Sequence, residues 1–194
     1  MRQIFMEKVW WRDSMQIRKK LLPIMILVMF FLHGCGGKQI SVKQALHEAG
    51  TDVKEIYHIE EFGDKAAAFY QKDQSEVLTV GLFYKIQNGW HFIIEDELGK
   101  QEDFNRGLTR TIFMQSKTEI PEFSFLYGII NNSKIEKVNL HMTSGDENDR
   151  YAIVRKIKGR RVWYDLLEGS RTFNICQGIS KDGEIIFDSS KKQL

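Results

Sequence analysis

This chain has little with which to staple or stiffen itself. It contains two cysteines, Cys35 and Cys176, and two prolines, Pro23 and Pro121. That excludes a disulfide framework and leaves stability to a packed core. The signatures that usually announce chemistry are missing too. Beyond residue 34 the histidines are His47, His58, His91 and His141, none paired at metal-ligand spacing. There is no His-Glu-x-x-His helix and no cysteine pair for zinc. A Gly-x-Ser-x-Gly elbow and a phosphate-cradling glycine loop are also lacking. These absences remove the usual reasons to propose an enzyme or a bound cofactor. They do not exclude a site assembled from distant residues.

An excess of one charge is missing as well. The formal net charge is +2, but it is unevenly spread. Residues 1–34 hold six Lys/Arg and two Asp/Glu, and the 22 Lys/Arg and 24 Asp/Glu beyond them leave the remainder at −2. A nucleic-acid binder normally carries a strongly basic domain, so nucleic acid is not an expected partner.

Nor is there a long hydrophobic run. The longest, Leu21 to Leu32, has about a dozen residues, roughly 18 Å as a helix against a hydrocarbon core of about 30 Å. It follows Arg18-Lys19-Lys20 and ends at Leu32-His33-Gly34-Cys35. A basic patch, a short apolar run and a small residue before a cut are the regions of a secretory signal. Leu32-His33-Gly34-Cys35 resembles the lipobox of bacterial lipoproteins: Leu, a tolerant position, a small residue, then Cys. The resemblance covers residues 15 to 35. It implies cleavage between Gly34 and Cys35, a thioether-linked diacylglyceryl group (and palmitate-type acylation) on Cys35, and a domain held at the outer face of a cell membrane. Ordinary secretion with a cut elsewhere and an uncleaved anchor are the alternatives. Met15 begins a compact basic start of its own, so translation from Met15 is the simplest account of residues 1–14.

The chain is thus expected to divide into a signal segment (1–34), a lipidated cysteine with a short tether (35–40) and one extracytoplasmic domain (41–194). Ser41 and Gln44 form a capping-box pattern opening a short helix that Gly50 ends. Strand signals come next at 55–62, 65–71, 76–86 and 89–95, separated by Gly63-Asp64, a polar turn at 72–75 and Asn88-Gly89. Thr111 to Met114 is apolar enough for a short strand or helical turn. A second series covers 123–130, 135–142, 151–157, 161–167, 172–179 and 184–188. The predicted fold is mainly β: an antiparallel β-sandwich or partly closed barrel of two meanders with one short N-terminal helix. The alternative is an α+β arrangement, with a curved sheet covered by the helix. Glu55–Asp96 and Ile135–Glu168 show a loosely similar order of strands and turns, which suits a duplicated unit.

Three constellations invite a functional reading. Ser144 to Asp149 offers oxygens for calcium, but lacks the alternation and final glutamate of a calcium loop, and reads better as a solvated turn. Arg155, Lys156, Lys158, Arg160 and Arg161 surround Gly159 and form a basic hairpin tip, a candidate contact for anionic lipid or an acidic wall polymer. Glu60, Glu61, Glu95, Asp96 and Glu97 would share one sheet edge if the first meander brings them together, and paired carboxylates can do acid–base work. Trp90, Trp163, Tyr164 and Cys176 read as core residues. The expected function is a membrane-anchored, non-enzymatic binding or accessory module of the cell envelope, with an envelope protein or wall polymer as partner. The alternatives are a small envelope hydrolase using the carboxylates, or a binder of anionic lipid or wall polymer.

Overall fold

The computed structural model describes residues 39–87, 89–99, 107–115, 120–142, 149–169 and 173–191. Gly34, Cys35, Met15 and most of the Ser144–Asp149 turn lie outside the described residues. The chain divides into two units, Met1–Gln39 and Ile40–Leu194.

The second unit opens with helix α1, Val42–Glu48. Ser41 Oγ accepts from Gln44 N at 3.2 Å, while Gln44 Oε1 accepts from Ser41 N at 3.0 Å, so the expected capping box forms. Four strands come next as the predicted meander: β1 (Val53–Phe62), β2 (Lys65–Lys72), β3 (Leu78–Ile86) and β4 (Gly89–Glu97). We call this the front sheet. The chain enters it through Ile40, whose carbonyl accepts from Trp90 N at 2.9 Å in a parallel bridge to Gly89. A Cβ on Gly89 would stand 2.4 Å from Ile40 N and O, so this approach requires glycine.

The second strand series behaves differently. The strands β5 (Thr111–Gln115), β6 (Phe123–Ile130), β9 (Ile153–Ile157) and β10 (Arg160–Glu168) form a central sheet in the order β5-β6-β10-β9. A back sheet in the order β12-β11-β7-β8 contains β7 (Lys137–Met142), β8 (Arg150–Tyr151), β11 (Phe173–Ile179) and β12 (Ile185–Asp188). The chain therefore changes sheet after β6, after β8 through buried Ala152, and after β10. A second meander does not form, and Ile135–Glu168 does not repeat Glu55–Asp96, because its strands are shared between two sheets.

The reason lies in β6 and β10. Phe123–Ile130 is buried at every position, and β10 is buried from Val162 to Leu167. Strands apolar on both faces need a partner layer on each. Phe123, Phe125, Tyr127, Ile129, Val162, Tyr164 and Leu166 pack on the front sheet, against Phe69, Leu78, Val80 and Leu82. The alternate residues Leu126, Ile130, Trp163 and Leu167 pack on Val138, Leu140 and Cys176 of the back sheet. Helix α1 closes the outer face of the front sheet, with Val42, Ala45 and Leu46 on Ala66, Ala68, Tyr70 and Phe83. The described residues are mainly β with one short helix, a sandwich of open antiparallel sheets. No closed barrel forms among the described residues.

Candidate functional site

The polar residues that matter most sit on the two edge strands of the front sheet, and bulges aim them. Side chains alternate faces along a strand, and one extra residue reverses every assignment beyond it. In β1 the register against β2 skips Lys54 and again Tyr57. Ile56 therefore packs on the helix side, while Tyr57 and Phe62 pack on the central sheet. His58 and Glu60 turn inward with them. In β4 the register against β3 skips Ile93. Trp90 and Phe92 face the helix, and the skip turns Ile94 and Asp96 toward the central sheet and Glu95 toward the helix side.

The carboxylates consequently do not gather. Glu60 and Glu61 lie on β1, Glu95, Asp96 and Glu97 on β4, with β2 and β3 between them. Three strand spacings separate the groups by about 14 Å. The expectation of one acidic edge fails because β1 and β4 are the outermost strands of the meander. Each of Glu60, Glu95 and Asp96 instead serves a tyrosine. Tyr164 Oη donates to Glu60 Oε2 at 2.7 Å, and His58 Nε2 lies 3.0 Å from that oxygen and 3.1 Å from the hydroxyl. Tyr127 Oη donates to Asp96, and Tyr70 Oη donates to Glu95, which also binds Lys72. Tyr127 and Tyr164 are cross-strand partners in the central sheet. From one residue pair, two hydroxyls thus reach the opposite edges of the facing sheet.

These contacts tune the groups. Burial works against the Glu60 carboxylate, yet hydrogen bonds from Tyr164 and His58 outweigh it and its pKa falls below the ordinary value. Burial, with the hydrogen bond to Glu60, raises the Tyr164 hydroxyl far above its usual range. Neither group is poised to exchange protons near neutrality, which suits a latch better than a catalyst.

The basic tip is present, but alternation divides it. Lys158 and Gly159 both have positive φ (46° and 78°), the left-handed pair of a two-residue hairpin turn joining β9 to β10. Lys156 and Arg161 are cross-strand partners on the face away from the front sheet. Arg155 lies beside Tyr164 and Glu60, where its charge favours their ionised forms. Lys158 and Arg160 reach over another part of the front sheet. There they meet Lys54, Gln71, Glu76 and Leu78 around an open cleft of about 470 Å³.

Gln71 is the buried hub of this cleft, 5% exposed. Its Oε1 accepts from Lys158 Nζ at 2.6 Å and from Tyr57 Oη at 2.7 Å, and its Nε2 donates to Ser75 O at 2.9 Å. Lys158 Nζ also donates to Glu76 O at 3.1 Å and lies over the Tyr57 ring, 5.6 Å from its centre. Lys54, Gln71 and Glu76 have no local sequence signal that would join them to Lys158. They come together through the bulge at Lys54 and the packing of two sheets.

A smaller recess of about 170 Å³ opens between β4 and β5 and is lined mainly by Val80, Leu82, Ile94, Ile112 and Phe113, with Tyr127 and Asp96. On the back sheet, His141 Nε2 lies 2.7 Å from Gln177 Oε1 and its Nδ1 2.6 Å from Asp149 Oδ1. Trp163, Tyr164 and Cys176 are fully buried and Trp90 nearly so, and burial pushes the Cys176 thiol up to about 12. Among the described residues no three His, Cys, Asp or Glu side chains are grouped to hold a metal ion. No protein-family model, curated protein or solved structure matches this chain.

Proposed function

We propose that this protein is a lipid-anchored extracytoplasmic module that binds rather than catalyses, held at the outer face of a bacterial membrane by a diacylglyceryl group on Cys35. The observation that carries the reading is Leu32-His33-Gly34-Cys35 at the end of a basic and then apolar segment. Two acyl chains hold a protein stably at a bilayer where one holds it only marginally. The first backbone bridge of the domain is at Ile40, so four residues, 36 to 39, and five Cα-to-Cα steps separate Cys35 from the fold. They span at most about 17 Å. The domain works close to the membrane surface, where an envelope protein or a wall polymer is its partner.

What supports binding over hydrolysis is the use made of the carboxylates. Glu60, Glu95 and Asp96 lie on two different edges, and each accepts a hydrogen bond from a tyrosine hydroxyl.

The test is the intact mass of the protein from the membrane fraction, beside a Cys35→Ser variant. The expected species begins at Cys35 and carries a diacylglyceryl group, and the variant lacks both changes. A mass retaining residues 15–34 sinks the lipid anchor in favour of an uncleaved one.

A further inference from the structure

We propose that the cleft between Lys54, Lys158 and Arg160 is an oxyanion site that takes a phosphate group. The proposal deepens and rests on the reading of the domain as a binding module, and it stands whether or not Cys35 is acylated.

The first argument is the bookkeeping of cations. Some basic side chains of the domain are neutralised by carboxylates, as Lys65 is by Asp64, Lys72 by Glu95 and Arg150 by Asp165, and others, such as Lys156 and Arg161, stand apart on the surface. Lys54 and Arg160 have no acidic partner among the described residues, and both line the same recess. Lys158 donates to two neutral oxygens, Gln71 Oε1 and Glu76 O. An ammonium carries three donors, so one remains for a ligand. Three cations against the single carboxylate of Glu76 leave the lining with two net positive charges. The guanidinium of Arg160 matches a phosphate or carboxylate bidentately. The excess of two charges and the volume of about 470 Å³ favour phosphate over a lone carboxylate.

The second argument is that the cleft is built. Lys158 is the only non-glycine residue with positive φ among the described residues. A tight hairpin of this kind prefers Asn, Asp or Gly there, and a lysine holds the left-handed conformation only under strain. The turn brings its ammonium over the cleft, where it is fixed by Glu76 O and by buried Gln71, itself anchored by Tyr57 and Ser75. Lys54, the extra residue of a bulge in β1, is aimed by that bulge toward the same space. Three separate local irregularities, the turn, the bulge and a buried glutamine, converge on one recess. Glu76 adds selectivity: its carboxylate favours a phosphate that carries a hydroxyl or amine beside it.

The experiment follows the Gln71 side-chain amide and the Lys158 backbone amide by NMR, with the full chain in phosphatidylcholine nanodiscs. Inorganic phosphate is the titrant. In a second arm the nanodiscs contain phosphatidylglycerol and no phosphate is added. A saturable shift in the first arm supports the site with free phosphate as ligand, and one confined to the second arm supports it with a lipid headgroup as source. Each of Lys54→Ala and Arg160→Ala, exposed residues whose loss leaves the fold intact, should weaken binding about tenfold, the loss of one charge-assisted contact. Glu76→Gln should tighten it for inorganic phosphate. Lys156→Ala and Arg161→Ala remove the same charge outside the cleft and should leave the midpoint within about twofold. Equal weakening by all four alanine variants, or no saturable shift in either arm, overturns the proposal. The mass at Cys35 reads the anchor independently, so the two readings fail separately.

Discussion

The central sheet has two buried faces, and they solve the problem of polar groups in opposite ways. Toward the front sheet its polar atoms end at the rim: the hydroxyls of Tyr127 and Tyr164 emerge from an aromatic layer and find carboxylates on the edges of the facing sheet. Toward the back sheet the polar atoms stay inside. Trp163 Nε1 donates to Thr109 O at 2.8 Å. Asp165, 3% exposed, is bound by Arg150 through Nε at 2.8 Å and Nη2 at 3.0 Å. A rim contact can be replaced by water when it breaks, whereas an interior one cannot. The front interface should therefore tolerate loss of its polar contacts better than the back one.

The sharpest way to break that contrast is at Gly128, the cross-strand partner of Trp163. A Cβ there would lie 2.0 Å from Thr109 O and 2.6 Å from the indole nitrogen. Gly128→Ala should cost about 4 kcal/mol, read as a lower urea midpoint, because backbone rather than a flexible side chain must yield. A loss under about 1 kcal/mol would show that the segment at Thr109 is free to move aside. Next in size is Arg150→Ala, which strands the Asp165 carboxylate in an apolar interface and should cost about 2 kcal/mol. Tyr164→Phe and Tyr127→Phe should each cost about 1 kcal/mol, since water can reach the carboxylates they release. If either phenylalanine variant proves worse than Arg150→Ala, the distinction between rim and interior is wrong.

The smallest effect is the dependence on acid, and its sign separates the faces. Hydrogen bonds from Tyr164 and His58 hold the Glu60 pKa below its ordinary 4.5. Its stabilising contribution is complete above 4.5 and is lost as pH falls through the lowered folded value. Burial, only partly offset by Arg150, holds the Asp165 pKa above its ordinary 3.8. Acidification through that raised value toward 3.8 therefore adds stability, because the folded state binds the proton more readily. Asp64 and Asp188 also have lowered pKa values and contribute to the decline in acid, so urea midpoints measured against pH should show a shallower acid decline in Glu60→Gln and a steeper one in Asp165→Asn. The same slope in both variants would mean that neither carboxylate is responsible.

Local chemistry made much of this fold legible. Gly63-Asp64, the polar turn before β3 and Asn88-Gly89 punctuate the front meander, and Ser41 with Gln44 marks α1. The apolar runs of β6 and β10 announce strands buried on both faces. Their mutual pairing was not legible, since some thirty residues and two sheet changes lie between them. Parity was the other blind spot. A strand read from sequence alternates without interruption, so Glu60, four residues on from Ile56, and Asp96, four on from Phe92, would fall with them on the helix side. The skips at Tyr57 and Ile93 reverse them, and nothing in the local composition marks a skip. The basic tip is divided for the same reason that strands alternate: Lys156 and Arg161 take one face, Arg155 and Arg160 the other. Lys54 joined the cleft from a hundred residues away, beyond the reach of any motif.

The bridge between Ile40 and Gly89 has a mechanical consequence. Were the chain held upstream of residue 40, a pull would reach the fold at one backbone hydrogen bond, Trp90 N to Ile40 O, on the edge strand β4. Behind it stand only the two turns of α1, seated on the small side chains Ala66 and Ala68. Load at this point peels hydrogen bonds one at a time instead of shearing a ladder of them together. Under tension the helix would lift first, baring Tyr70, Phe83 and Trp90, while the three sheets behind it stay paired.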